Sequence, residues 1–290
     1  MIAVPYHLGC RDVEVGRGPT KLLNALHQPC HIVEWIDLGA GQSEAMINLN
    51  VQLAAAVRAH SGAPLILAGS CNLCLGALAG LEARTGPAWA PKRWRSSPRS
   101  AAPGSVVRAS SSREESLGIV WFDAHGDFNT PATSLSGRLD GMALAVATGV
   151  CQDELRGRIG LERPVPGAKA LLVEPRDLDP GEDERIENAA VRALRLTELQ
   201  DALNHLDAET VYLHIDLDVV NPEVSPGVNC NKPGGISPEQ LYGAIRLIAT
   251  RVPLAAAMIA NYNPDRDPED RTLRIAEHLA GMLIESCGLS

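Results

Sequence analysis

Short apolar runs alternating with helix-period segments constrain this chain of 290 residues more than any other feature. "MIAV", "HIVEWI", "PLILA", "GIVWF", "KALLV" and "VYLHI" read as strands, each a β-branched or apolar run too short for a helix. Between them, "SEAMINLNVQLAAAVRAH", "LCLGALAGLEA", "TELQDALNHL" and "SPEQLYGAIRLIA" carry helical patterns. In the last of these, Ser237 is the expected N-cap, with Pro238 at the first helical position and Gln240 completing a capping box. "LAAAMIA" and a terminal helix from about Asp270 to Ser286 close the chain. Strands alternating with helices predict an α/β fold in which one parallel sheet is covered on both faces.

One segment breaks the alternation. Gly86–Ser116 is rich in Ser, Arg and Pro and has no usable periodicity, so a disordered, solvated insertion within a single domain is expected there. Over the whole chain the composition is ordinary for a globular protein, with 45% hydrophobic and 21% charged residues. A net charge of −9 supplies no basic field for nucleic acid or an anionic membrane. Aromatic residues at 3% supply no stacking platform for single strands. No basic segment followed by a long apolar run opens the sequence, and no uncharged stretch of about 18 apolar residues occurs, so neither a secretory signal nor a membrane span is expected. Seven scattered cysteines fit a reducing, cytoplasmic setting better than a disulfide framework. The expected partner is a small molecule, and the negative balance suits a cationic one.

The chemistry concentrates just after two strands. "GIVWFDAHGDFNTP" sets Asp123, His125 and Asp127 on alternating positions, and "VYLHIDLDVVNP" adds Asp216 and Asp218 at i and i+2. In open α/β sheets ligands gather beyond the carboxyl ends of the strands. Several carboxylates buried together are prohibitive unless cations neutralise them. One His against four Asp describes an oxygen-rich site suited to Mn²⁺ or Mg²⁺ more than to structural Zn²⁺. A carboxylate from each cluster could bridge two ions about 3.5–4 Å apart, the spacing of a two-metal hydrolytic site. Either cluster alone could instead be turn-stabilising Asp.

"DAHGDFNTP" and "HIDLDVVNP" resemble the two signatures of the arginase/agmatinase (ureohydrolase) family. "GRGPTKLLNA" near the N-terminus, "RDLDPGE" of Arg176–Glu182 and "NYNPDRD" of Asn261–Asp267 fall in the same order as family segments. The resemblance implies a three-layer αβα sandwich with a mainly parallel sheet, a homo-oligomer, and a dinuclear Mn²⁺ centre with two ions per chain. By the same resemblance Asp123 and Asp216 bridge both ions, Asp127 completes one shell, and His125 and Asp218 complete the other. Hydroxide would attack a planar guanidinium carbon, and the departing amine would be protonated through Asp127.

Three departures qualify what the resemblance implies. Where the family carries a His ligand in a "GGDHS"-like turn, "AGSCN" places Cys71. A nearby dication can deprotonate a thiol, but thiolate is soft and poorly matched to Mn²⁺. The other reading of Cys71 is a small buried thiol lining a single-metal or weakened site; Cys74 reads as core. Asp140 in "RLDG" stands where arginases relay protons through a His. With an ordinary carboxyl pKa of about 3.9, it relays at neutral pH only if its surroundings raise that value. It could instead pair with a substrate cation. Asn261 stands where arginases grip the guanidinium with Glu, and it cannot form a charged bidentate pair.

Asn129, Ser134 and Ser136, by contrast, match positions that bind an amino-acid α-carboxylate, and Asp179 matches the Asp near the α-amino group. The combination resembles N-hydroxyarginine hydrolases with Cys at the first ligand position. The expectation is a metal-dependent hydrolase cleaving a C–N bond of a guanidino or formimino amino acid. An agmatinase-type hydrolase of a decarboxylated guanidine, or a non-catalytic arginase-like binding protein, are the alternatives.

Overall fold

The computed structural model describes residues 1–35, 41–84 and 116–288; apart from Ser116, the Gly86–Ser116 insertion lies outside them. Strands β1 (Ile2–Val4), β4 (His31–Ile32), β5 (Leu65–Ala68), β6 (Leu117–Phe122), β7 (Ala170–Val173), β8 (Arg192–Leu194), β9 (Thr210–Asp216) and β10 (Leu254–Ala260) form one eight-stranded sheet. The spatial order is β4-β1-β5-β10-β9-β6-β7-β8, and the paired strands run parallel. Tyr6–His7 (β2) and Cys10–Arg11 (β3) make a separate antiparallel pair.

The period-2 geometry of a strand sends successive side chains to opposite faces, and each face here finds its own helical cover. In β6, Ile119 and Trp121 join one core while Val120 and Phe122 join the other. The first core packs under α2 (Gln42–Ala59), α3 (Cys74–Glu82), α4 (Ala143–Ala147), α5 (Asp153–Ile159) and α6 (Glu182–Asn188). The second packs under α1 (Arg17–Leu26), α7 (Leu199–His205), α8 (Pro238–Arg251) and α9 (Arg271–Cys287). This is the expected three-layer αβα sandwich. The expected capping box also forms: the Gln240 amide donates to Ser237 Oγ at 3.3 Å, and the Ser237 amide donates to Gln240 Oε1 at 2.8 Å. A cap of this kind contributes about 1 kcal/mol.

Two readings of the sequence need correction. Among the described residues the run "HIVEWI" contributes His31 and Ile32 to the sheet, on the outermost described strand, where a second strand to extend the ladder is not found among them. Between "KALLV" and "VYLHI" lie a further helix and strand, α6 and β8. Both escape a periodicity reading because α6 is a seven-residue, mostly charged helix and β8 buries only Leu194 of its three residues. Among the described residues no helix is long and apolar enough to cross a membrane.

The four adjacent strands β5, β10, β9 and β6 carry the site at their carboxyl ends. Cys71 follows β5, Asp123–Asp127 follow β6, Asp216 ends β9 with Asp218 in the turn after it, and Asn261 follows β10. Gly69 lets the β5 turn tuck in, since a Cβ there would sit 2.3 Å from the Tyr6 carbonyl oxygen.

Candidate metal centre

Asp123, Asp216 and Asp218 are buried at 1%, 3% and 2% exposure, and Asp127 lies beside them at 7%. Local turn chemistry fixes part of each cluster. The His125 amide donates to Asp123 Oδ1 at 2.8 Å, and the Asp218 amide donates to Asp216 Oδ1 at 2.8 Å. The Ala124 amide crosses from β6 to donate to Asp218 Oδ1 at 3.0 Å, tying the two motifs together. The Trp121 indole N–H donates to Asp123 Oδ2 at 3.0 Å. Turn stabilisation and site building therefore use the same residues. The His125 ring completes the junction, with Nδ1 3.0 Å from Asp218 Oδ2 and 3.3 Å from Asp123 Oδ1.

The electrostatics are those of a cation site. Burial, then the charge of Asp218, pushes Asp123 up to about 6. Burial and neighbouring carboxylates hold Asp127 and Asp216 well above the ordinary carboxyl range. Burial works in the same direction on Asp218, but hydrogen bonding to His125 and the His125 charge outweigh it and leave Asp218 below its usual value. For His125, burial opposes the charged ring, yet the bonds to Asp123 and Asp218 raise its pKa. Among the described residues Asp127 Oδ2 is a buried oxygen with no hydrogen-bond partner. An unpaired buried polar atom ordinarily costs about 1–3 kcal/mol. Asp123, His125 and Asp218 each present a ligand atom within 4.8 Å of the others. This donor set fits a divalent cation, which would neutralise the repelling carboxylates and occupy the unpaired oxygen.

Cys71 also points at the carboxylates: its Sγ donates to Asp216 Oδ2 at 3.0 Å. Cys74 is fully buried in the first core, as expected. Asn261 turns its amide onto the same floor, with Nδ2 donating to Asp216 Oδ1 at 2.9 Å and Oδ2 at 3.1 Å. Both Asn261 and Asp127 hold positive φ, at +68° and +47°, a conformation L-residues occupy rarely. Strained backbone of this kind collects at functional sites.

Above the floor opens a cavity of about 310 Å³, bordered by Asp140, Asn129, Asp179 and Ser136 among others. Asp140 accepts from Asn72 Nδ2 at 2.5 Å, which orients its carboxylate. Asn129 is tied into protein contacts, with Nδ2 donating to Asp179 Oδ2 at 2.7 Å and Oδ1 accepting from Arg185 at 2.9 Å. Ser136 borders the cavity, whereas Ser134 accepts from the Gly137 amide at 3.0 Å and is absent from the lining.

Three contributors escaped the sequence reading. Arg138 borders the cavity beside Ser136. Glu182 accepts the amides of Phe128 and Asp179 at 2.7 and 2.8 Å, holding the two loops that frame the cavity. His214 lies under the floor, two residues before Asp216 on β9. Inside the apolar run of β9 a lone histidine reads as one more strand residue, so no local pattern marks it.

Fold and site together define an α/β protein with a carboxylate-rich metal-type centre at the ends of a parallel sheet. A profile described as the arginase family matches residues 99–285, and the chain belongs to that family. Among curated relatives it is 29% identical to an arginase of Brevibacillus brevis over 224 residues, covering 73% of this chain and 65% of that protein. It is 26% identical to the arginase of Bacillus caldovelox over a 317-residue alignment, covering 98% and 96% of the two chains. The match thus spans just under two thirds of the first relative and nearly all of the second. Among solved structures, arginase from Bacillus subtilis superposes with a TM-score of 0.74 at 25% identity, covering 98% of each chain. Proclavaminate amidino hydrolase from Streptomyces clavuligerus shares the fold at a TM-score of 0.68 and 18% identity, over 97% of this chain and 89% of that one.

Proposed function

We propose that this protein is a metal-dependent amidinohydrolase that cleaves a C–N bond in a guanidino or formimino amino acid. The observation that carries the reading is the set of buried carboxylates around His125, with the unpaired Asp127 Oδ2, opening into the cavity. Asp123, Asp127, Asp216 and Asp218, with His125 and Cys71, would hold two divalent cations. Mn²⁺ suits the oxygen-dominated part of this set. Bound cations would polarise the scissile group and make a nucleophile available from water near neutral pH.

The chain's own groups supply the rest. Asp127 would bind a cation through Oδ2, which has no hydrogen-bond partner among the described residues, and pass a proton to a departing amine through its other carboxylate oxygen. Asp140, oriented by Asn72, offers a negative charge to a cationic substrate or a relay for protons at the cavity wall. The Asn261 carboxamide lies against the metal-type carboxylates, so a neutral hydrogen bond would replace a charged grip on the guanidino group. At the mouth, Ser136 with Arg138 would bind an α-carboxylate, Asn129 would hold Asp179 in place, and Asp179 would face the α-amino group. Ser134 would shape the turn beneath them. A charged partner for the carboxylate favours amino-acid substrates over agmatine-type ones.

The test is a substrate panel on metal-loaded protein. Arginine or N-hydroxyarginine should release urea or hydroxyurea faster than agmatine or guanidinobutyrate release urea. Faster turnover of the decarboxylated compounds would overturn the assignment of the mouth. Turnover of none, with metal bound, would favour a binding protein.

A further inference from the structure

Beneath the carboxylate floor lies an imidazole that the proposed chemistry does not use. His214 is fully buried on β9, and its Nε2 has no hydrogen-bond partner among the described residues. Its surroundings hold the ring in one orientation. The Trp121 indole stacks on it at a centroid distance of 3.5 Å and an interplanar angle of 7°. The same indole donates its N–H to Asp123 Oδ2 at 3.0 Å, so one side chain orients both the imidazole and the carboxylate. On the other edge of the ring, Nδ1 meets the Tyr212 hydroxyl at 3.2 Å. That hydroxyl donates to Met258 Sδ at 3.3 Å, and thioether sulfur can only accept. With its one proton directed there, Tyr212 accepts from Nδ1–H, which leaves the lone pair of His214 on Nε2. This is how outer contacts prepare a histidine for metal: one nitrogen protonated and bonded, the other bare.

A ring nitrogen of His214, Cys71 Sγ and a carboxylate oxygen of Asp123 all lie within 4.8 Å of one another. Ligands of one ion sit about 2.0–2.3 Å from it, so they can be separated by up to about twice that distance. The spread is within reach of a single ion after small side-chain rotations. Resting on the metal-hydrolase reading above, we propose that His214 is a metal ligand which, with Cys71 and Asp123, builds a sulfur–nitrogen–oxygen half-site for a borderline cation of the Zn²⁺ or Co²⁺ class. Thiolate and imidazole together favour such cations over Mn²⁺, whereas the Asp123–His125–Asp218 group keeps the oxygen-rich character that suits Mn²⁺. The centre is therefore asymmetric. Filling the inner half-site exchanges the Cys71 S–H proton, now shared with Asp216, for the cation and releases that proton to solvent.

The experiment uses the full chain, stripped with chelator and titrated with Co²⁺ or Zn²⁺ in competition with a chelating dye. Wild-type protein should show a thiolate-to-cobalt charge-transfer band that Cys71→Ser abolishes. His214→Gln should weaken the thiolate-bearing ion by more than about 100-fold, beyond the 10–100-fold typical of outer contacts, while the ion at His125 stays bound. If His214→Gln fails to fold, X-ray absorption of the His125→Asn protein loaded with one equivalent of Zn²⁺ decides the matter. Sulfur at about 2.3 Å together with an imidazole at about 2.0–2.1 Å supports the proposal, and sulfur without imidazole overturns it. A folded His214→Gln variant with unchanged affinity and an unchanged band also overturns it. Binding of no divalent ion at all removes the metal-hydrolase reading as well, whereas binding without thiolate or this imidazole removes only the present proposal.

Discussion

The floor of the cavity and its mouth are built on opposite principles. On the floor, Asp123, Asp216 and Asp218 are buried, anchored by backbone amides of their own motifs, and pressed together despite their charge. At the mouth, Ser134, Ser136 and Arg138 belong to a partly exposed loop whose hydrogen bonds run mainly within itself. On the floor, burial and neighbouring carboxylates oppose the charged forms of Asp127 and Asp216, which a bound cation would relieve, whereas Ser134, Ser136 and Arg138 bring no like charges together. Substitutions on the floor should therefore change metal binding and chemistry together, while those at the mouth should change only which substrate is accepted.

The largest effects are expected on the floor. Asp123→Asn or Asp216→Asn should lower hydrolytic activity by more than about 100-fold, with metal content falling in the same preparation. Asp127→Asn should separate the two roles of that carboxylate. In chelator the variant should melt higher than the parent, because burial and then the charges of Asp123 and Asp216 penalise a carboxylate there but not an amide, by about 2 °C for each kcal/mol relieved. With metal present it should be nearly inactive. A melting temperature below the parent's in chelator would show that this penalty does not dominate there.

Smaller effects mark the mouth. Arg138→Ala should lower kcat/KM for α-carboxylate substrates by about 10- to 150-fold, the equivalent of losing about 1.5–3 kcal/mol of charged hydrogen bonding. Agmatine turnover should barely change. An equal loss on both substrates would move Arg138 from recognition into the chemistry. Ser136→Ala should cost up to about tenfold on the same comparison, from about 0.5–1.5 kcal/mol. Ser134→Ala should alter substrate preference least, since its hydroxyl serves the Gly137 amide.

The same contrast governs what the sequence reveals. Asp123, His125 and Asp127 are legible because a short motif at the end of an apolar strand fixes its own geometry, and the capping box of α8 is legible for the same reason. Cys71 is legible as a position after "PLILA", and it does reach Asp216. His214 is hidden by its setting: inside "VYLHI" a single histidine reads as one more strand residue, and only the pairing of Trp121 with His214 across β6 and β9 brings it under the floor. The mouth is harder still. That Asn129 is engaged by Asp179 and Arg185 follows from contacts about 50 residues apart in the chain, which no local pattern records. Likewise β8 is too short, and too exposed, for alternation to announce it.

Elemental analysis of purified protein, paired with thermal melting before and after chelation, tests the central claim most directly. Two divalent ions per chain are expected, and at a hundred times Kd a bound ion should add about 2.7 kcal/mol of stability that chelation removes. For a chain of this size that corresponds to a fall of about 4–5 °C in Tm for each ion removed. Protein that contains no metal, and whose melting temperature chelation leaves unchanged, would contradict a metal centre at the ends of β5, β6 and β9.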